Sequence, residues 1–397
     1  MPSIGSVYFN LQPYYLTISE NLQHHYSFDP VGRFLSGFLD GINYRRGLDG
    51  SILAKHRTTH SGKSRRRLSE PETQTLIDDV HGRVANIAPY LTAPEQADLL
   101  PYVQAILAWD YARLHAERST FHAIYKPISI LPPDQYRAVV LQAAEGCSWN
   151  KCTFCSLYRD RRFRIKSATS FRQHIQHIKQ LLGPSIGLRQ SLFLGDANAL
   201  VIPQPRLLEL LQVVHEEFAL GPAQPNDAPC MKGVYSFLDI FGAERKTLSD
   251  YRELAAYGLK RIYIGLESGD DDLFALLNKP GSPQECVQAV QTIKQAGIAV
   301  GIILLAGAGG DRYAEQHVAN SVAHIHTMGL DANDIIYISA LVVSGSDEYS
   351  QLLHAQGGHA LADAQVQQQL ATFKTLLRAP AGPRPKVSLY HIEEFIY

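Results

Sequence analysis

The sequence has almost no charge imbalance: 37 Lys and Arg face 38 Asp and Glu, a net charge of -1 over 397 residues. That disfavours a broad phosphate-tracking surface, so nucleic acid is not the expected partner, although local basic patches are compatible with such a balance. Long hydrophobic runs are also missing. The longest, residues 298–310, is shorter than the roughly 20 apolar residues of a membrane span. The opening MPSIGSVYFN has neither a basic stretch nor an apolar one, so no export signal is read there and a cytoplasmic location is expected. Cysteine is scarce, 5 in all, which excludes a disulfide scaffold. Apolar side chains are plentiful at 45%, which excludes a disordered chain. The length accommodates one large domain with an appendage.

Residues 1–130 read as a mainly helical extension. Residues 6–18 are aromatic and β-branched, a hairpin or extended arm. Asp29-Pro30 opens a helical pattern carried by Val31, Phe34, Leu35, Phe38 and Leu39. Residues 48–70, with the basic run 63–67, read as an exposed loop. Residues 71–91 and 92–118 read as two helices, the second capped by Thr92 with Pro94 and Glu95 in its first turn. The extension is expected to pack on the rest of the protein and to line a substrate entrance.

After the proline-marked junction at 128–133 the pattern changes. Apolar segments 138–143, 190–194, 233–238, 261–265, 300–305 and 335–341 alternate with helical patterns at 168–182, 204–217, 249–257, 283–296 and 314–328. This is an α/β order, and it predicts a parallel sheet with crossover helices. Six units suit a partial (β/α)6 barrel, TIM-like but not closed, over residues 131–350. Residues 351–397 form a short C-terminal segment with a helix over 363–377. The active end of such a sheet is where the strands' C-termini lie.

Directly after the first of these strands comes Glu145-Gly146-Cys147-Ser148-Trp149-Asn150-Lys151-Cys152-Thr153-Phe154-Cys155, a C-x4-C-x2-C spacing. Three thiolates on one short loop can converge on a single metal centre. Structural zinc would need a fourth ligand, and none is near in sequence. An iron–sulfur cluster held by three thiolates keeps one iron open for a further ligand. Cys230 and Cys286 are too few for a second cluster and read as structural. The region before residue 130 shows no β/α alternation of the kind a cobalamin-binding domain has.

These cysteines, with three further motifs in order, resemble the radical S-adenosylmethionine (radical SAM) superfamily over about residues 135–345. The family's usual spacing is C-x3-C-x2-C, so this loop carries one extra residue. The other motifs are Gly195-Asp196-Ala197-Asn198-Ala199-Leu200, Gly265-Leu266-Glu267-Ser268-Gly269-Asp270 with the downstream Asn278-Lys279, and Ala306-Gly307-Ala308-Gly309-Gly310. The second is similar to the GLESG-type segment of the subgroup with the elongator catalytic subunit and the oxygen-independent porphyrinogen oxidases. The resemblance implies that Cys147, Cys152 and Cys155 hold one [4Fe–4S] cluster. It implies that Phe154 packs near the adenine of S-adenosyl-L-methionine, and that Gly195, Asp196, Gly265, Ser268, Gly309 and Gly310 shape the cofactor pocket. A ribose needs hydroxyl partners, for which Glu267 and Ser236, at or near predicted strand ends, are candidates.

The implied enzyme is oxygen-sensitive. It cleaves the cofactor reductively to a 5′-deoxyadenosyl radical and takes hydrogen from a small or medium metabolite. An external electron donor such as flavodoxin or ferredoxin is implied. Three alternatives stand beside it: an RNA- or protein-modifying radical SAM enzyme docking through 63–67 and 159–166, aminocarboxypropyl transfer by cleavage of another carbon–sulfur bond, and a non-catalytic iron–sulfur or zinc binding module. The run Arg159 to Lys166 also reads as a binder of a substrate carboxylate or phosphate. His174 and His177 read as ordinary exposed or core histidines.

Overall fold

The structure is a computed structural model. It describes residues 6–397 apart from 59–61, 92–97, 222–229, 240–245, 344, 346, 380–381, 393–394 and the side chains of 57, 58, 62 and 63. Thr92, Pro94 and Glu95 lie outside the described residues, as does the side chain of Lys63. The chain divides into two compact units: Met1–Ile128 with Gln176–Arg189 and Glu393–Tyr397, and Ser129–Ile175 with Gln190–Ile392.

The first unit is built on a seven-stranded antiparallel sheet in chain order: β1 (Val7–Gln12), β2 (Tyr15–Glu20), β3 (His24–Phe28), β4 (Phe34–Leu39), β5 (Ile42–Arg46), β6 (Ile52–Thr58) and β7 (Gly62–Arg67). Three helices follow, α1 (Glu70–Ile87), α2 (Leu100–Leu107) and α3 (Tyr111–Ile124). Ile18, Tyr26, Phe28 and Phe34 of the sheet share one core with Val80 and Val84 of α1 and Val103 of α2. The extension is therefore mixed rather than mainly helical. The expected hairpin is present as β1 and β2, but the helical pattern from Asp29 is a turn followed by β4, and the expected loop holds β6 and β7. Phe34, Leu35, Phe38 and Leu39 are spaced as on a helix face, yet Gly37 between them lowers helix propensity, and pairing with β3 and β5 decides the outcome. The basic run forms an edge strand, where charge blocks further pairing.

The second unit is a parallel sheet with crossover helices. In chain order its elements are β8 (Ala138–Gln142), the short pair β9 (Ala144–Glu145) and β10 (Arg164–Ile165), the first part of α4 (Ala168–Leu182, which from Gln176 onward belongs to the first unit), β11 (Ser191–Gly195), α5 (Gln204–Glu217), β12 (Val234–Phe237), α6 (Leu248–Ala256), β13 (Leu259–Glu267), α7 (Asp271–Leu276), α8 (Pro283–Gln295), β14 (Ala299–Ala306), α9 (Gly310–Thr327), β15 (Ile335–Ala340), α10 (Glu348–Ala355), α11 (Asp363–Leu376) and β16 (Lys386–Tyr390). The strand order is β16-β15-β14-β13-β12-β11-β8, so β8 and β16 are the two edges and the barrel is open. The six expected strands are present, and β16 from the C-terminal segment adds a seventh. Every residue of β8 and β11 is buried, as expected for parallel strands with neither face open to water.

A polar knot ties the N-terminal side of these strands. Asp134 accepts hydrogen bonds from the hydroxyls of Tyr263 (2.5 Å) and Tyr337 (2.8 Å) and from Arg261 (2.9 Å). The sequence motifs all lie on the other side, at the strands' C-terminal ends.

Candidate active site

The cysteine loop is fastened at three places. Where it leaves β9, the buried Asp196 accepts from the Gly146 N–H at 3.1 Å and from the Gln142 side chain at 3.0 Å, with Arg161 paired to it at 3.5 Å. Gly146 turns there with φ +78°, a region that L side chains rarely adopt. The long x4 spacer is gathered by Asn150, whose φ of 52° turns the chain and whose amide donates to the Tyr158 carbonyl at 3.1 Å. Asn is one of the few side chains that tolerates such a turn. The rest of the loop is clamped to the end of α7. Trp149 donates to the Asn278 carbonyl at 2.8 Å, and Asn278 donates to the Lys151 carbonyl at 2.8 Å. Thr153 reaches the Leu276 and Leu277 carbonyls. The stretch that follows the GLESG-type segment, through Asn278, and the cysteine loop thus meet directly.

Burial pushes all three thiols up, Cys152 furthest, to about 12. Backbone N–H groups of Asn150 and Trp149 work against burial at Cys147, and that of Leu157 does so at Cys155. At Cys152 the opposing influence is the positive charge of Lys279. The Lys279 side chain is only 9% exposed, and the one hydrogen-bond partner of its ammonium among the described residues is Glu267, at 3.4 Å. Burial disfavours its charge, but Glu267, Cys152 and Asp239 more than offset this and raise its pKa, so it stays protonated.

Glu267 ends β13 with φ 60°, at a shift of register between Gly265 and Glu267 against β14. A Cβ on Gly265 would lie 2.1 Å from a Glu267 carboxylate oxygen. The glycine is what gives that carboxylate its seat. Burial raises the Glu267 carboxyl, with Lys279 opposing.

The other expected residues fall into two groups. Gly195 ends β11 beside Gln142 of β8, and a Cβ there would find its nearest neighbour, Val140, at 3.4 Å. Phe154 packs on an apolar cluster with Leu273, Leu277 and Ala308. Ser236, by contrast, spends its hydroxyl inside the sheet, donating to the Leu194 carbonyl at 2.8 Å. Ser268 is buried against His317 at 2.8 Å and accepts from the Asp270 N–H. Gly309 and Gly310 make room for the protein itself. A Cβ would lie 2.5 Å from Tyr313 Cβ at Gly309 and 2.1 Å from the His359 carbonyl at Gly310. Their N–H groups donate to Tyr349 and Gly307.

The run after the third cysteine turns onto the loop: Arg161 to Asp160 and Asp196, and Lys166 to Glu145 at 2.6 Å. His174 is buried and accepts from the Gln142 N–H, whereas His177 is exposed. Cys286 is buried, and Cys230 donates to the Ala219 and Gly221 carbonyls.

Sequence reading assigned no role to three residues that the structure brings in. Lys279 lies just past the GLESG-type segment, and only the fold brings its charge close enough to influence the thiols. Asp239, just past β12, is close enough to influence Cys147 and Lys279. Asn198 donates to Asp239 and to Ser148 of the loop.

The donor set fits an iron–sulfur cluster better than one ion. Among the described residues no three His, Cys, Asp or Glu side chains converge on a single metal position. Structural zinc needs four donors around one ion, whereas thiolates on separate irons stand apart. A buried ammonium beside the thiols, with N–H groups to spare, suits an anionic group or cofactor.

Residues 141–320 match the family model of the radical SAM superfamily. No curated protein is significantly similar to the chain. Similar solved structures include coproporphyrinogen III oxidase from Escherichia coli, with 14% identity over 66% of this chain and 56% of that one and a TM-score of 0.44. Methylornithine synthase has 15% identity over 75% and 72%, TM-score 0.41. The archaeal Elp3 of Methanocaldococcus infernus has 11% over 56% and 54%, TM-score 0.40. The chain thus spans little more than half the length of the oxidase. Residues 141–320 thus form a domain of the radical SAM superfamily, a superfamily of enzymes whose members bind a [4Fe–4S] cluster and S-adenosylmethionine.

Proposed function

We propose that Cys147, Cys152 and Cys155 hold one [4Fe–4S] cluster, that S-adenosylmethionine binds beside it, and that the enzyme takes hydrogen from a small or medium metabolite. The bound pair supplies an electron and a 5′-deoxyadenosyl radical for that abstraction. The observation that carries this reading is the meeting of the three thiols with the buried Lys279–Glu267 pair at the strands' C-terminal ends. Lys279 holds a positive charge against the thiolates, which favours their ionised, metal-binding form. Glu267 presents a carboxylate able to accept two ribose hydroxyls. Asn198 and Asp239 keep the end of β12 against the loop. Phe154 offers an aromatic face for the adenine. The near-zero net charge favours a metabolite over RNA as substrate.

Anaerobic reconstitution with iron and sulfide tests this. The wild-type chain should gain a reducible absorbance at about 400 nm and convert S-adenosylmethionine to 5′-deoxyadenosine. Cys152→Ala should lose both, while Cys286→Ala keeps both. Full activity in Cys152→Ala would end the reading. Methylthioadenosine in place of deoxyadenosine would shift it to aminocarboxypropyl transfer.

A further inference from the structure

Four residues past the last cysteine, Arg159 turns back over the loop. Its Nε donates to the Cys155 carbonyl at 3.1 Å and its Nη2 to the Cys152 carbonyl at 3.0 Å. Nη2 also faces Glu348, at the start of α10, at 3.4 Å. The Cys152 carbonyl takes a second hydrogen bond from the Cys155 N–H at 3.3 Å. One guanidinium therefore fixes the two peptide groups that set the direction of two of the three thiols. The planar fork of Arg suits this task, because its two N–H vectors are rigidly related.

We propose that Arg159 is a positioning residue for the cluster loop, holding the Cys152 and Cys155 thiols in their ligating arrangement and placing a fixed positive charge beside them. The proposal rests on the cluster reading above. Two consequences separate fork from charge. Loss of the fork loosens the loop, and groups outside a metal's direct ligands typically change metal affinity by about tenfold to a hundredfold. Loss of the charge makes the reduced, more negative cluster harder to form, because net charge near the cluster sets its potential. Glu348 and solvent weaken the second effect, since both side chains of that pair are about half exposed.

The test uses Arg159→Gln, which lacks both fork and charge, and Arg159→Lys, which keeps the charge. In reconstituted protein, Arg159→Gln should release iron to a chelator about tenfold faster and show a more negative cluster potential. Arg159→Lys should release iron faster too, but keep the wild-type potential. In metal-free protein, iodoacetamide should alkylate Cys152 and Cys155 faster in both variants, with Cys230 as the internal standard that does not change. Wild-type iron retention, potential and alkylation rates in Arg159→Gln would overturn the proposal. So would equal acceleration at Cys230, which would show general loosening of the fold. A wild-type chain that takes up no cluster would sink the cluster reading instead, and alkylation would still report on the loop.

Discussion

Two buried charge networks in this molecule are built on opposite plans. In the first unit, Arg33 is 3% exposed and all five of its N–H donors are used. Nε pairs with Asp29 at 2.6 Å, Nη1 with Glu117 at 2.6 Å and the Leu181 carbonyl at 2.8 Å, and Nη2 with the Leu182 carbonyl and Ser185. Arg46 takes the other Glu117 oxygen at 2.8 Å, and Ser185 donates to Asp29 at 2.7 Å. In the second unit, the Lys279 ammonium has one hydrogen-bond partner among the described residues, Glu267, at 3.4 Å. Desolvated charge is costly, so a network whose hydrogen bonds are complete belongs to the fold. One left incomplete keeps its capacity for something else to bind. Saturation, not burial, separates the two networks, and under the proposed function the unsaturated pair is the one that serves a ligand.

The comparison breaks most easily at Arg33. Arg33→Met should cost about 3–5 kcal/mol of unfolding free energy, because Asp29 and Glu117 would then lie buried with one cation fewer between them. Denaturant unfolding of the metal-free chain measures this. A loss below about 1 kcal/mol would show that a saturated network can be as dispensable as a surface pair.

His317 sharpens the same point with a neutral group. It is fully buried, with Nε2 against the Leu305 carbonyl at 2.9 Å and Nδ1 against the Ser268 hydroxyl at 2.8 Å. The carbonyl only accepts, so Nε2 carries the proton and Nδ1 receives the hydroxyl's. Burial pulls its pKa from 6.5 to about 4, with the Leu305 carbonyl and Asp270 opposing. Above pH 6.5 neither folded nor unfolded chain holds the extra proton, and no stability is lost. As pH falls towards 4 the unfolded chain binds a proton that the fold refuses, which costs up to about 3 kcal/mol. The difference in unfolding free energy between wild type and His317→Gln, measured from pH 7 to pH 5, should narrow as pH falls. A difference that stays constant with pH would show that His317 titrates normally in the fold.

The same physical divide explains what could be read from the residues. Strands such as β8 and β11 are buried on both faces, so their apolar runs stand out, and helices 168–182 and 204–217 follow from their stripes. In the antiparallel sheet half of each strand faces outward. There Phe34, Leu35, Phe38 and Leu39 satisfy helical spacing while pairing as β4. The cysteine loop was legible because three thiols in nine residues have few other uses. The Lys279–Glu267 contact was not, because it depends on the register shift at Gly265 and on α7 folding back between two residues 12 apart in sequence. Ser236 shows the same limit: nothing in a strand-end serine reveals that its hydroxyl donates to the neighbouring strand's Leu194 carbonyl.

The smallest effect on stability is expected where the network is least complete. Replacing Lys279 by Met and Glu267 by Gln together removes both charges while roughly keeping volume. A loose buried pair repays little of its own desolvation, so the metal-free double variant should unfold within about 1 kcal/mol of wild type, or be more stable. After reconstitution the same variant keeps its three thiols but, without the Lys279 charge that favours their ionised form, should load iron less readily. The loaded fraction should bind S-adenosylmethionine about a hundredfold more weakly, as expected when charge-assisted contacts are lost from a desolvated pocket. Urea unfolding and anaerobic equilibrium dialysis give the two numbers. A stability loss approaching that of Arg33→Met, with cofactor binding intact, would make Lys279–Glu267 a second structural pair. It would also remove the basis for reading function from an unsaturated buried charge.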